Sequence, residues 1–454
     1  MDTFNILIVF LINLFKLVGI FFFYLKIRNY NNSIGIKLIL YFLVINVLLY
    51  GIVVNIFRLL TNSKVLTEFG VKTNELLNVE FLELISISIF LLVLYLFINS
   101  SLFNKKFQIH SNYNNSFKLL AVLNLISIFN NFISDINNEF LFGEAIKYLS
   151  GPSAILLTFY SIRLKKYKYL LFSLPNLILI LFLVFSTGVR GPIIGIFLII
   201  SFLLLHHFTI NEVLKKIPIF LIPIFSVLLL NNEYSKIKFA FTSEYLSNPQ
   251  GYQTITDIGN FIINFYLSGD SQIADGSNSK ISEEIEFRLG ARSMYSVGFI
   301  RFVETKGNTL ITPLYNSLYV FFPRAFSNEK KPYPDSYNGE INGMGMYVCA
   351  NEIDGQVNMT DFYSSSHYYW QYGFFGVLLF SFLSAFYIIL ILFVTNRKNI
   401  IIKIFIILYA LKPYYFIPQF TLSDIVLMLV TKILPLLIVT SLISFFIRIR
   451  VRYR

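Results

Sequence analysis

Basic residues in connections predicted to face away from the cytoplasm are the positions best placed to do chemistry in this chain. Arg190 lies in the turn STGVRGP, residues 186–192, between Gly188 and Gly191. Glycines on both sides leave the backbone open to a close ligand, and a guanidinium fork matches phosphate oxygens two at a time. An arginine there is also suited to anchoring a helix end at headgroup depth. Arg288 and Arg292 are four residues apart and share a helical face, with Arg301 further along. Arg324 follows Pro323 in FFPRAF, and Lys330, Lys331 and Pro332 come soon after. Together these cations suit a pyrophosphate. Glu283, Glu284, Glu286 and Glu329 would instead absorb them in ordinary ion pairs.

A transfer reaction also needs a proton acceptor. His367 falls in SSSHYYWQYGFFG, beside Tyr369 and the only tryptophan, Trp370. An imidazole titrates near neutrality and serves as a general base; among aromatic neighbours it serves equally as a packing residue. Asp361, Glu340, Glu304 and Asp335 are rival bases that spacing does not rank. The two remaining outcomes are negative expectations. No HExxH, CxxC or clustered outward carboxylates predict a metal site, and no GxxxxGK[ST] predicts a nucleotide. Lys16 and Lys432 lie inside apolar runs, where a charge costs about 2.5–3.5 kcal/mol on insertion scales. Lys432 is placed to snorkel outward, whereas Lys16 is nearer the middle and requires a partner.

The elements that must position these groups are transmembrane helices. The chain has 454 residues, of which 56% are hydrophobic and 14% charged, against about 45–50% and about 25% for soluble domains. Disorder, collagen and a disulfide scaffold are excluded, and Cys349 has no second cysteine to bridge. Apolar runs predict eleven spans at 4–25, 36–60, 79–103, 117–134, 149–163, 169–187, 191–208, 217–231, 373–395, 399–416 and 424–446. Alternate connections carry the positive charge: Lys26, Arg28 and Lys37; Lys105, Lys106 and Lys118; Arg163, Lys165, Lys166 and Lys168; Lys215 and Lys216; Arg397, Lys398 and Lys403; and four tail arginines. These make nineteen of the 37 basic residues, accompanied by one acid, Glu212. The positive-inside rule makes these segments cytoplasmic, with the N-terminus outside and the C-terminus inside. In that setting the net charge of +12 speaks of membrane topology, not of nucleic acid.

The fold class expected is therefore an all-α polytopic membrane protein of about eleven spans. Its parts are an eight-span bundle at 1–231, a long periplasmic loop at 232–372 with interfacial or re-entrant helices, and three spans with a basic tail at 373–454. Apolar stripes at 254–267 and 283–303 suit helices on the bilayer surface or on the bundle, or a small packed outer domain.

Three of these stretches carry a family likeness. STGVRGP, FFPRAFSNEKKP and HYYWQYGFFG, with the long late outward loop, make the sequence resemble the O-antigen polymerase (Wzy-type oligosaccharide repeat-unit polymerase) family of bacterial inner-membrane proteins. His367 stands where an acidic residue is expected in the third motif. The resemblance implies a metal-independent glycosyltransferase at the periplasmic face. It would move a growing glycan from undecaprenyl pyrophosphate onto a newly exported lipid-linked repeat unit, needing no cofactor. Arg190, Arg288, Arg292, Arg324 and Lys331 would hold the pyrophosphate, and Tyr369 and Trp370 the sugars. His367, Asp361 or Glu340 would take the acceptor proton. Membrane lipid, a chain-length regulator and a flippase are the implied partners. An O-antigen ligase, a lipid-linked oligosaccharide flippase and a cell-surface acyltransferase are the rival readings.

Overall fold

The computed structural model describes residues 3–27, 34–61, 70–98, 113–133, 143–187, 191–207, 281–308, 363–395, 400–411 and 436–438. Among the described residues there are eleven numbered α-helices and no strand. They are α1 (Thr3–Ile27), α2 (Ile34–Asn46), α3 (Val54–Thr61), α4 (Thr73–Ile98), α5 (Tyr113–Ile133) and α6 (Gly143–Arg163), then α7 (Leu170–Thr187), α8 (Gly191–His207), α9 (Ile281–Lys306), α10 (Ser364–Thr395) and α11 (Ile400–Leu411). A π-helical segment, Val47–Val53, joins α2 to α3, and a 3₁₀ turn, Tyr167–Tyr169, precedes α7.

Among the described residues, four stretches are long and apolar enough to cross a bilayer: Phe4–Ile27, Ile34–Leu60, Thr73–Ile98 and Ser365–Thr395. They overlap the spans expected at 4–25, 36–60, 79–103 and 373–395. A helix satisfies every backbone donor and acceptor within itself, which is why an apolar run in lipid takes this form. The eleven helices are not the eleven expected spans, since α2 and α3 belong to one stretch and α9 falls within 232–372.

Two compact units organise the chain, and neither is contiguous. The first gathers 1–109, 279–398 and 415–438; the second gathers 110–278, 399–414 and 439–454. Segments from both sides of positions 231 and 372 thus fold together. In the first unit α4 is the centre, packed against α1, α9 and α10. Val79 and Leu82 of α4, Val297 and Phe299 of α9, and Trp370 and Phe380 of α10 share its apolar core. Helix α1 turns Phe4, Phe15, Phe21 and Phe22 outward and buries Asn13 and Lys16. Exposed phenylalanine with buried lysine suits a lipid solvent. In the second unit α5, α6 and α7 pack on one another, and α8 and α11 pack against α6.

Local breaks shape the first unit. A π turn is a common device at functional places in helices, and here Gly51 within it faces the Asn13 side chain, where a Cβ would collide. Helix α10 breaks at Tyr372 and Gly373; Gly373 has φ of +62°, left-handed backbone that a glycine adopts freely. The break divides a short segment carrying His367, Tyr369 and Trp370 from the long apolar part of the helix.

Candidate functional site

The first unit encloses a cluster of ionisable side chains at the meeting of α1, α4, α9 and α10. Lys16 is 2% exposed, Glu80 1% and Glu83 5%. Lys16 Nζ lies 2.5 Å from Glu80 Oε2 and donates to Asn13 Oδ1 at 3.2 Å. The Asn13 amide in turn donates to the Val9 carbonyl at 3.0 Å. This supplies the partner that the position of Lys16 demands. Glu80 Oε1 also accepts from Ser293 of α9 at 3.4 Å and from the Tyr363 hydroxyl at 3.3 Å. Ser365, in the first turn of α10, donates to Glu83 Oε2 at 2.6 Å. Breaking a buried pair strands a charge at considerable cost, which gives these contacts weight.

Two arginines border the cluster. Arg292, 1% exposed, hydrogen-bonds Asn46 and stacks its guanidinium 4.0 Å from the Tyr50 ring centroid. The Tyr363 ring lies 5.9 Å from the same guanidinium and 5.7 Å from Lys16 Nζ. Arg58, also buried, donates to Asn55 at 3.2 Å, and Gly290 of α9 sits against its guanidinium, where any Cβ would intrude. Tyr363 is held at both ends, since its backbone N–H donates to Ser296 Oγ at 2.7 Å. Burial, with the Glu80 charge beside it, pushes its phenol well above the ordinary range, so it stays a donor.

The start of α10 forms the adjoining aromatic wall. His367 is fully buried, with its ring 5.6 Å from Phe299 and 5.1 Å from Trp370. Such a sleeve matches the packing reading of His367 better than that of a base open to an acceptor sugar. Trp370 is 1% exposed and also meets Phe299 at 5.5 Å and Phe302 at 6.3 Å. Tyr369 is half-buried. Beyond the left-handed Gly307, Asn308 caps the break in α10. Its amide donates to the Tyr369 carbonyl at 2.8 Å and to that of Trp370 at 3.4 Å.

Of the residues singled out from sequence, Arg292, Tyr369, Trp370 and His367 come into this one unit, on α9 and α10. Arg288 lies on α9 one turn before Arg292. Arg301 does not join the cluster; it forms a two-bond pair with Glu75 at 2.7 Å each. Arg190, Arg324, Lys331, Glu340, Asp361 and Lys432 lie outside the described residues. Among the described residues no group of three His, Cys, Asp or Glu side chains could hold a metal ion.

Sequence reasoning passed over Glu80 and Glu83. The signal was available, because an acid inside an apolar run marks function by default. They sit near the start of their run, where an acid also reads as an ordinary helix end. No family model, no curated protein and no solved structure matches this chain.

Proposed function

We propose that this protein is a glycosyltransferase that polymerises undecaprenyl-pyrophosphate-linked repeat units into surface polysaccharide at the periplasmic face of a bacterial inner membrane. One observation carries the reading. Arg292 of α9, from near the middle of the 232–372 segment, and the Tyr369–Trp370 pair of α10, from its end, belong to helices packed together in one unit, with Phe299 between them in sequence and 5.5 Å from Trp370. A fork for phosphate and flat rings for sugar are the two recognition chemistries this substrate needs.

In the reaction, an acceptor hydroxyl attacks the anomeric carbon of the donor glycan. The bond to the pyrophosphate oxygen breaks, and undecaprenyl pyrophosphate leaves with both electrons of that bond. Arginines stabilise the charge that grows on the leaving group, with Arg190, Arg288, Arg324 and Lys331 joining Arg292 in this role. The acceptor proton passes to a carboxylate, Asp361 or Glu340; burial of His367 among rings favours these over the imidazole. The finer topology belongs to the same proposal: eleven spans, the N-terminus periplasmic and the C-terminus cytoplasmic. Fusions after residue 270 should then be active with periplasmic reporters alone.

A deletion strain tests the function. A polymerase mutant displays lipid A core capped with a single repeat unit, whereas a ligase mutant attaches no glycan. A flippase mutant exports no repeat unit. The flippase reading is kept because Lys16, Glu80 and Glu83 are buried within apolar helices, as ionisable groups are in transport pathways. A strain lacking exported repeat units would replace the polymerase with that transporter.

A further inference from the structure

We infer that Ser366 and Trp370 of α10 form a subsite for the acetamido group of an N-acetylated sugar, which rests on the polymerase reading for the sugar class. Ser366 is fully buried and Trp370 is 1% exposed. Among the described residues, Ser366 Oγ and Trp370 Nε1 each lack a hydrogen-bond partner. The polar groups beside them are satisfied. Ser365 donates to Glu83, the Tyr363 hydroxyl to Glu80, the Tyr363 N–H to Ser296, and the Tyr368 hydroxyl pairs with Ser384. A buried indole N–H ordinarily finds an acceptor, and two adjoining donors left over in a bonded neighbourhood call for one that binds from outside the chain.

The two donors serve one place. Residues four apart stack on one helical face, and an aromatic side chain leans back over the turn before it. The Trp370 indole therefore covers the turn that carries Ser366 and His367, and its 5.1 Å approach to the His367 ring shows that lean. Phe299 at 5.5 Å and Phe302 at 6.3 Å wall the indole with apolar surface.

Those surroundings select the ligand chemistry. An anion would shed its water among aromatic rings with only neutral donors to receive it, a far costlier transfer than that of a neutral group. A hydroxyl must donate as well as accept, and an indole N–H offers it no acceptor. An amide carbonyl accepts through two lone pairs, one for each donor, and the methyl of an acetyl group suits the phenylalanine rings. Entry is gated by the break in α10. Gly373, with φ of +62°, separates residues 364–372 from the long part of the helix. Asn308 fastens that short segment through the Tyr369 and Trp370 carbonyls, and a tilt about the break uncovers the subsite.

Trp370 is the only tryptophan, so labelling the indole nitrogen gives one NMR resonance to follow in the full-length protein in detergent. Titration with the methyl glycosides of N-acetylglucosamine and N-acetylgalactosamine should move the indole proton downfield, saturating with at least one of them. Methyl glucoside and methyl galactoside should leave it in place. Ser366→Ala should weaken the binding about tenfold while the Tm stays the same or rises, because the variant deletes a buried hydroxyl with no partner. Ser366→Thr should bind as the unaltered chain does. A resonance unmoved by either acetamido sugar, one already downfield because it holds a trapped water only, or an equal shift with the unacetylated glycosides would each overturn the subsite. So would a Ser366→Ala chain that melts lower or fails to accumulate, since the hydroxyl would then be structural. The titration reads the subsite and the deletion strain reads the polymer, so either can fail without the other.

Discussion

The two units solve the problem of polar groups in an apolar core in different ways. In the first, α1 and α4 contribute full charges, Lys16 and Glu80, and α9 adds Arg292. In the second, the side-chain hydrogen bonds between α5, α6 and α7 join amides and hydroxyls, while Lys403 of α11 is a buried cation, 4% exposed. Asn176 of α7 donates to Asn124 of α5 at 2.8 Å and accepts from Ser127 at 3.4 Å, and Thr158 of α6 donates to Ser173 of α7 at 2.8 Å. Neutral pairs set which faces of α5, α6 and α7 meet at little desolvation cost. Charges are a poor choice for that task, because an apolar pair of the same size stabilises as well or better. A buried pair of opposite charges, Lys16 with Glu80, is what singles out the first unit as the candidate working part.

Breaking the charge balance should have the largest effect. Lys16→Met leaves Glu80 buried and unpaired, and should cost about 3–5 kcal/mol, read as a lowered Tm in detergent and reduced membrane accumulation. The double variant Lys16→Met/Glu80→Met sharpens the contrast: it should recover most of that stability while polymer stays low. Recovery of both would make the pair structural and erase the distinction between the units.

Arg292→Lys keeps the charge and discards the planar fork and the stack on Tyr50. If the guanidinium supports the leaving pyrophosphate, polymer formation from lipid-linked repeat units should fall by about 10²–10³, or about 2.7–4 kcal/mol, with protein levels held. Normal chain formation would leave Arg292 a packing residue.

Gly376→Ala acts through shape alone. Its Cβ would strike the Tyr368 carbonyl, a backbone atom with little room to yield. A loss of about 1–3 kcal/mol is expected, seen as a lower Tm together with an altered Trp370 emission spectrum. An unchanged spectrum would free the aromatic wall from the break in α10.

At the neutral end, Thr158→Val in the second unit should cost only about 0.5–1.5 kcal/mol and leave polymer yield unchanged. A loss of polymer at normal stability would show that the second unit also takes part in the chemistry.

Much of this architecture was legible beforehand, and the reasons are particular. The runs at 4–25, 36–60 and 79–103 announced helices because apolar side chains continue through several turns without a break. The run expected from 373 was recognised, but α10 begins earlier, at Ser364, and crosses Gly373 with a break. Apolar content fades there, and a hydropathy pattern does not register a helix stabilised by Tyr363, Ser365 and Asn308. The arginines were ranked by the face they were expected to occupy, which separated neither Arg292, buried against Tyr50, from Arg301, paired with Glu75, nor either from a surface cation.

By itself, the sequence determined that the chain is built of apolar helices and that Lys16 needs a partner. Composition acts at every residue, and desolvation penalises a charge whatever the fold around it. Only the tertiary structure decided that the partner is Glu80, 64 positions away, that Glu83 is left to Ser365, and that His367 is walled in by Phe299 and Trp370. Those facts depend on which helix faces meet. Many pairings bury similar apolar area, and the selection among them falls to a few directional polar contacts that no periodicity encodes.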